Sequence, residues 1–265
     1  MSKLKKQSVN PKYTTRLLKA GALLDEMRIL VRNWEDLQSK KSQDRLILVE
    51  NILDKPSRSR ARDIFSSAFV PRFLKGQPKE AWKILRVLEA QNVAINILRP
   101  IYYWITVRNE PILYDFICEE LSKIKQTGKQ FITVYEVVVW LKNKLLSYKI
   151  TWSESVILGI ARKILAILRD FHLLQGRVNK KLTSFYLPLE AFVYIAFILS
   201  KQGFSGYKLV CHPDWRLFLL PLDAVERKFL EADRHGFLNY LAAGQIIRIE
   251  FTVSSYEEMA NVISQ

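Results

Sequence analysis

Two groups of cations have a spacing in this chain that could do chemistry, and that chemistry is phosphate binding. Arg58, Arg60 and Arg62 alternate along the chain just after Lys55-Pro56-Ser57. Further on, Lys142, Lys144 and Lys149 are followed by Arg162, Lys163 and Arg169, then by Arg177, Lys180 and Lys181. Duplex DNA presents a dense phosphate lattice, and each Lys or Arg that neutralises it releases counterions. Cations in a first helical turn oppose the helix dipole by roughly a few tenths of a kcal/mol each. Bound phosphates would offset that cost at Arg58, Arg60 and Arg62, although a solvated turn beside Asp63 would carry the same residues. The candidate DNA-binding set is Arg58, Arg60, Arg62, Lys144, Arg162, Lys163, Arg177, Lys180 and Lys181.

Base reading is poorly provided for. Ser153, Glu154 and Ser155, at the start of a long helix, are the residues placed to approach base edges, and none of them can make the bidentate contacts that Arg, Asn or Gln make. Phosphate-led binding with little sequence preference is expected. Single-stranded RNA binders display aromatics that stack on bases. Here Tyr102, Tyr103, Trp104, Phe192, Tyr194 and Phe197 fall in apolar runs and read as core, which favours double-stranded DNA.

Catalytic arrangements do not emerge. His172, His212 and His235 are the three histidines, and none stands at metal-ligand spacing from another His or from a Cys. Cys211 and His212 are adjacent, and His172 reads as a packed residue on an apolar helix end. The glycines are scattered singly, with no phosphate-cradling loop. Asp25-Glu26, Glu119-Glu120 and Glu257-Glu258 read as solvated helix surface. The expectation is a protein with no catalytic residue, metal or cofactor, and not an enzyme.

The charge is uneven. The 265 residues carry a net +15. Residues 1–62 contribute +8, 63–132 +3, 133–187 +6 and 188–265 −2. A polyanionic partner is implied for the first and third stretches. Two cysteines are too few for a disulfide framework, so a reducing cytoplasm is expected. Residues 1–12 read as a basic flexible arm without the apolar stretch of a signal peptide. The apolar runs 93–107 and Leu189–Leu199 fall short of the roughly 20 residues that span a bilayer. They read as buried core helices, with no membrane insertion.

Few Gly and Pro and many periodic apolar stripes predict a mainly α fold. A first helix is expected over Thr15–Leu37, and a second capped by Ser42 with Leu46, Val49 and Leu53 inward. Helices follow from Arg58, over 78–90, 91–108 (kinked or divided at Pro100) and 111–126. Gln126–Gln130 marks a boundary between an N-terminal helical domain, 13–128, and a C-terminal domain, 129–265. Thr133-Val134-Tyr135-Glu136 and Thr151-Trp152-Ser153-Glu154 fit capping boxes. The two long helices they open, with a ribbon running to Leu187, make the order of a winged helix in the basic unit 133–187. The unit 188–265 echoes it with a helix over Asp223–Arg234 and a hairpin turning at Ala242-Ala243-Gly244, before a last helix over Tyr256–Ile263. Trp215, Phe218 and Leu219 are candidates for an exposed patch that recruits a partner protein.

Several stretches together resemble the BrxA family of BREX bacteriophage-exclusion systems. They are the run from Tyr13-Thr14-Thr15-Arg16 to Leu24, Trp152-Ser153-Glu154-Ser155 continuing to Leu168-Arg169-Asp170-Phe171-His172-Leu173-Leu174, His212-Pro213-Asp214-Trp215-Arg216-Leu217-Phe218, and Ile247-Arg248-Ile249 with Ser255-Tyr256-Glu257-Glu258-Met259. The resemblance implies a NusB-like helical part followed by winged-helix-like units with short β-hairpins. It also implies DNA binding and partnership with other BREX components, among them a methyltransferase and ATPases. An RNA binder of antitermination type and a protein-recruiting scaffold are the rival readings.

Overall fold

The structure, a computed structural model, describes residues 13–34, 39–243 and 246–264. The expected basic arm, 1–12, lies outside the described residues. The fold is mainly α with two small antiparallel sheets, as the composition implied.

The first long helix is not formed as expected. A 3-10 turn covers Thr15–Leu18, and α1 begins only at Leu24, running to Arg32. The carbonyls between them are taken by distant arginines. Arg60 Nη1 donates to the Lys19 oxygen at 2.7 Å, and Arg72 donates to those of Ala20 and Gly21 at 3.2 and 2.8 Å. An oxygen facing a guanidinium does not build the i to i+4 ladder, so the helix restarts at Leu24 with Leu23 left-handed at φ 55.

Helix α2 is Lys40–Gln43, continued by a π-helical stretch Asp44–Val49. Ser39, not Ser42, caps it, accepting from the Ser42 amide. Val49 points outward while Ile47 and Leu53 are buried. α3, Arg58–Ile64, is capped by Ser57 and extended by π turns over Phe65–Leu74. α4 is Ala81–Ala90 and α5 Ile95–Arg108. Pro100 does not divide α5: it lies early in the helix, where its missing N–H removes a single ladder bond. α6, Pro111–Asp115, continues through π turns, Phe116–Leu121, into α7, Ser122–Gln126.

After β1, Phe131–Ile132, come α8, Val134–Ser147, and α9, Glu154–Asp170. β2 is Leu174–Gln175 and β3 Lys180–Leu182. The ribbon is thus shorter and earlier than expected, and Thr183 to Leu187 lie beyond it. α10, Leu189–Lys201, is buried along nearly its whole length, and so are Leu98 and Ile101–Val107 of α5. α11 is Gly206–Val210, followed by a 3-10 turn, Pro213–Phe218. α12, Leu222–Arg234, leads into the hairpin of β4, Leu238–Ala243, and β5, Ile246–Phe251, then α13, Tyr256–Ile263. Ala242 and Ala243 belong to the strand, and Gly244 of the expected turn lies outside the described residues. Among the described residues, no helix is long and apolar enough to cross a membrane.

Trp215, Phe218 and Leu219 are 2%, 1% and 9% exposed, so they form no surface patch. Trp215 stacks within 4.6 Å of Phe192, and Phe218 meets Tyr103 and Phe185. Buried carboxylates tie the helices together. Glu110 pairs with Arg72 at 2.9 Å and Arg16 at 3.0 Å, and Glu89 accepts from Arg28, Arg32 and Tyr102. Asp214 accepts from Trp104 Nε1 at 2.7 Å and pairs with Arg108 at 3.1 Å. Buried charge is tolerated in a core only with such partners.

Candidate nucleic-acid interface

The segment 131–182 is built from both its caps and its turns. Thr133 and Glu136 form a complete capping box at the start of α8. At α9 the cap is Ser153, accepting from the Val156 amide, and not the expected box of Thr151 and Glu154. Ile157, Ile160, Ala161, Ile164, Leu165 and Leu168 bury one side of α9. Ser155, Leu158 and Arg162, spaced by three and four, face outward along the other.

The sheet order is β1-β3-β2. Phe131 pairs with Lys181 and Ile132 with Lys180 on one side of β3, while Leu174 pairs with Leu182 on the other. The strand before the two helices therefore closes on the last strand after them. β1 is too short to give a period, which is why sequence reasoning missed it. The β2–β3 turn needs Gly176: its φ is +93, and a Cβ there would sit 2.2 Å from the Asn179 carbonyl.

The nine candidate cations separate into three kinds. Arg58, Arg62, Arg162 and Arg177 are exposed, with Lys163 and Lys181 half-exposed, and among the described residues none of these side chains is held by a carboxylate. Arg60 is half-buried on the Lys19 carbonyl. Lys144 is held by Glu119, with Asp115 at 3.7 Å. Burial lowers the Lys144 ammonium pKa, but the Glu119 hydrogen bond and the charges of Glu119 and Asp115 together outweigh it and the net shift is upward. Lys180 is 7% exposed and donates to the carbonyls of Gly176 and Arg177 at 2.8 and 2.6 Å. Burial, then Arg169, holds its pKa below the ordinary lysine value.

Neighbouring cations are also engaged. Lys142 pairs with Glu154 at 2.7 Å and Arg169 with Asp170 at 2.6 Å. Glu154, one of the base-reading candidates, is thereby partly neutralised.

The two cation groups share a neighbour. Leu18 packs on α9 at Gly159, where its Cδ2 lies 2.7 Å from the position a Cβ would take. Lys19, the next residue, pairs with Asp63 of α3 at 3.0 Å and accepts from Arg60 through its carbonyl. The stretch Thr15–Lys19 thus connects α3 to α9, one helical turn from Arg162 and Lys163.

Two further expectations change. His172 is not packed: it is exposed, left-handed at φ 67, with Nδ1 3.2 Å from Arg99 Nη1. Burial, then Arg99, keeps its pKa below the usual histidine value. Sequence reasoning also missed the apolar outward faces of this region. Tyr135, Val139 and Leu146 of α8, Phe131 of β1 and Val178 of the turn are exposed, Val178 to 85%. In comparisons with known proteins, residues 11–198 match the family model described as BrxA. No curated protein matches the chain.

Proposed function

The chain belongs to the BrxA family, and on that premise we propose that it is a non-enzymatic, cytoplasmic component of a BREX bacteriophage defence system that holds duplex DNA by its phosphates. Family membership itself implies the BREX-associated role. The observation that carries the DNA reading is the strand–helix–helix–strand–strand unit 131–182, whose first strand closes on its last. That is the connectivity of a winged helix, in which the second helix enters the major groove. Here α9 turns Ser155, Leu158 and Arg162 outward, and the β2–β3 turn presents Arg177. The contacts assigned to phosphate are Arg58, Arg62, Arg162, Lys163, Arg177 and Lys181. Arg60, Lys144 and Lys180 leave the set, because their charged groups already have protein partners.

A gel-shift titration of duplex DNA across salt concentrations tests this. The variant Arg58→Gln/Arg62→Gln/Arg162→Gln/Arg177→Gln is expected to bind any sequence more weakly. Its log–log salt slope should fall by about 3.6, since each of the four lost phosphate contacts removes about 0.9. Unchanged affinity in this variant overturns the reading. Competition with single-stranded RNA decides against the antitermination alternative if duplex DNA wins.

The exposed apolar residues Phe131, Tyr135, Val139 and Val178 favour a second role beside the first, as a docking surface for another component of the defence complex. The methyltransferase and ATPases implied by the family resemblance are the candidates. Co-purification in the presence of nuclease, lost in Tyr135→Glu/Val139→Glu, is the expected result.

A further inference from the structure

A cavity of about 780 Å³ opens between α5, the C-terminal end of α9, the start of β2 and the stretch after β3. This is the size range of small-molecule sites. Asn96, Arg99, Arg169, His172, Gln175 and Tyr186 contribute its hydrogen-bonding and aromatic groups. Arg169 is already committed to Asp170, which also lines the wall, so Arg99 is the uncompensated charge.

Arg99 is unusual in two ways. Its Nε is buried and has no hydrogen-bond partner, although buried polar groups nearly always find one. Its Nη1 faces His172 Nδ1 at 3.2 Å, and among the described residues no carboxylate pairs with the guanidinium. His172 in turn occupies the left-handed position that follows α9. The Leu173 amide donates to the Leu168 carbonyl and the His172 amide to that of Arg169, which is the pairing of a Schellman motif. Glycine is the cheap residue at that position, so the histidine holds backbone strain there. At the rim, Tyr186 is 70% exposed with Lys228 Nζ 5.4 Å from its ring centroid.

We propose that this cleft binds a nucleoside phosphate, with the phosphate on Arg99 and the base laid against Tyr186. The amides of Asn96 and Gln175 supply donors and acceptors for the base edge. The ligand has two sources with this same chemistry, a free mononucleotide or the unpaired 5′-phosphorylated end of a DNA strand. Gly176 lines the cleft and Arg177 follows it, so a strand end would reach the site from the β2–β3 turn. The inference stands on the cavity and does not rest on duplex binding.

The test is calorimetric titration of the full chain with dAMP, dGMP, dCMP and dTMP, the matching nucleosides, and a short oligo(dT) with and without its 5′-phosphate. Saturable binding of at least one mononucleotide is expected, and loss of the phosphate should weaken it about tenfold or more. Arg99→Gln and Tyr186→Ala should each weaken it by about tenfold, with duplex gel shifts unchanged. A 5′-phosphorylated oligonucleotide that binds far more tightly than the mononucleotides identifies a strand end as the ligand, and equal affinities identify a free nucleotide. No saturable binding by any phosphate probe, or equal affinities in wild type and both variants, overturns the proposal. If Arg99→Gln does not fold, Tyr186→Ala at its exposed position decides alone.

Discussion

Lys180 and Arg177 are joined by a hydrogen bond of the β2–β3 turn: the Lys180 ammonium donates to the Arg177 carbonyl at 2.6 Å, while the Arg177 side chain is exposed. The two cations therefore have different work. Lys180→Ala strips a charged donor from two turn carbonyls and should cost about 1–3 kcal/mol of stability. Arg177→Ala should change stability by less than about 0.5 kcal/mol and weaken duplex binding. Thermal melts beside gel shifts separate the effects. A Lys180→Ala protein as stable as wild type would show that the turn does not need its lysine.

Lys144 makes the complementary case. Its ammonium rests between Glu119 and Asp115 and over the Tyr148 ring, and Asp115 also accepts from the Tyr13 hydroxyl. Lys144→Met should lower stability by on the order of 1 kcal/mol, leaving the salt slope of DNA binding as it is. A flattened slope would return Lys144 to the phosphate contacts.

These cases show what the sequence can carry. Periodicity located the buried face of α9, the apolar run Leu189–Leu199 located the buried α10, and Thr–Glu spacing located the cap at Thr133, because those signals are local. What stayed illegible depended on partners far along the chain. The helix expected over 15–37 breaks because Arg72, over fifty residues away, takes the Ala20 and Gly21 carbonyls. Trp215 and Phe218 look displayable in isolation and are buried by Phe192, Phe229 and Tyr103. In the site, composition located the cations but not which ones are free, since Glu119 and the Gly176 carbonyl engage Lys144 and Lys180 only after folding. The cleft at Arg99 has no sequence signature, as its residues come from three separate stretches, 96–100, 169–176 and 183–188.

Arg72 itself supports a stability prediction. It is fully buried, and burial pulls its pKa below the ordinary arginine value while Glu110 pushes it back up. Arg72→Met would leave Glu110, among the described residues, with Arg16 as its remaining cation and would orphan two carbonyls. A loss of about 3–5 kcal/mol is expected, read as a lower urea midpoint. The double variant Arg72→Met/Glu110→Leu should recover part of it. A single variant with the wild-type midpoint would show that the α1 entry does not depend on this pair.

Protonation of His212 should set the stability of the chain on the acid side of neutrality. The ring is buried, lies against Phe204 and accepts the Asp214 amide at Nδ1 at 3.2 Å. Burial depresses its pKa, Asp214 opposes and Arg108 adds to the depression. The folded state therefore binds fewer protons than the unfolded chain, whose histidine titrates near about 6.5. Stability rises with pH wherever the unfolded state binds more protons. The contribution of His212 is thus fully present above about pH 6.5 and is lost as pH falls through the lower folded value. His172, also depressed, acts in the same direction, whereas the depressed carboxyls Glu136 and Glu258 act only in a more acidic window. Between about pH 7.5 and 5.5, the wild-type Tm should fall by a few degrees. His212→Asn keeps an acceptor for the Asp214 amide but cannot be protonated, so its Tm should fall less over that range. His172→Gly should flatten the curve further and raise Tm at neutral pH, because glycine takes φ 67 without strain. Parallel Tm curves for wild type and His212→Asn would place the acid sensitivity elsewhere.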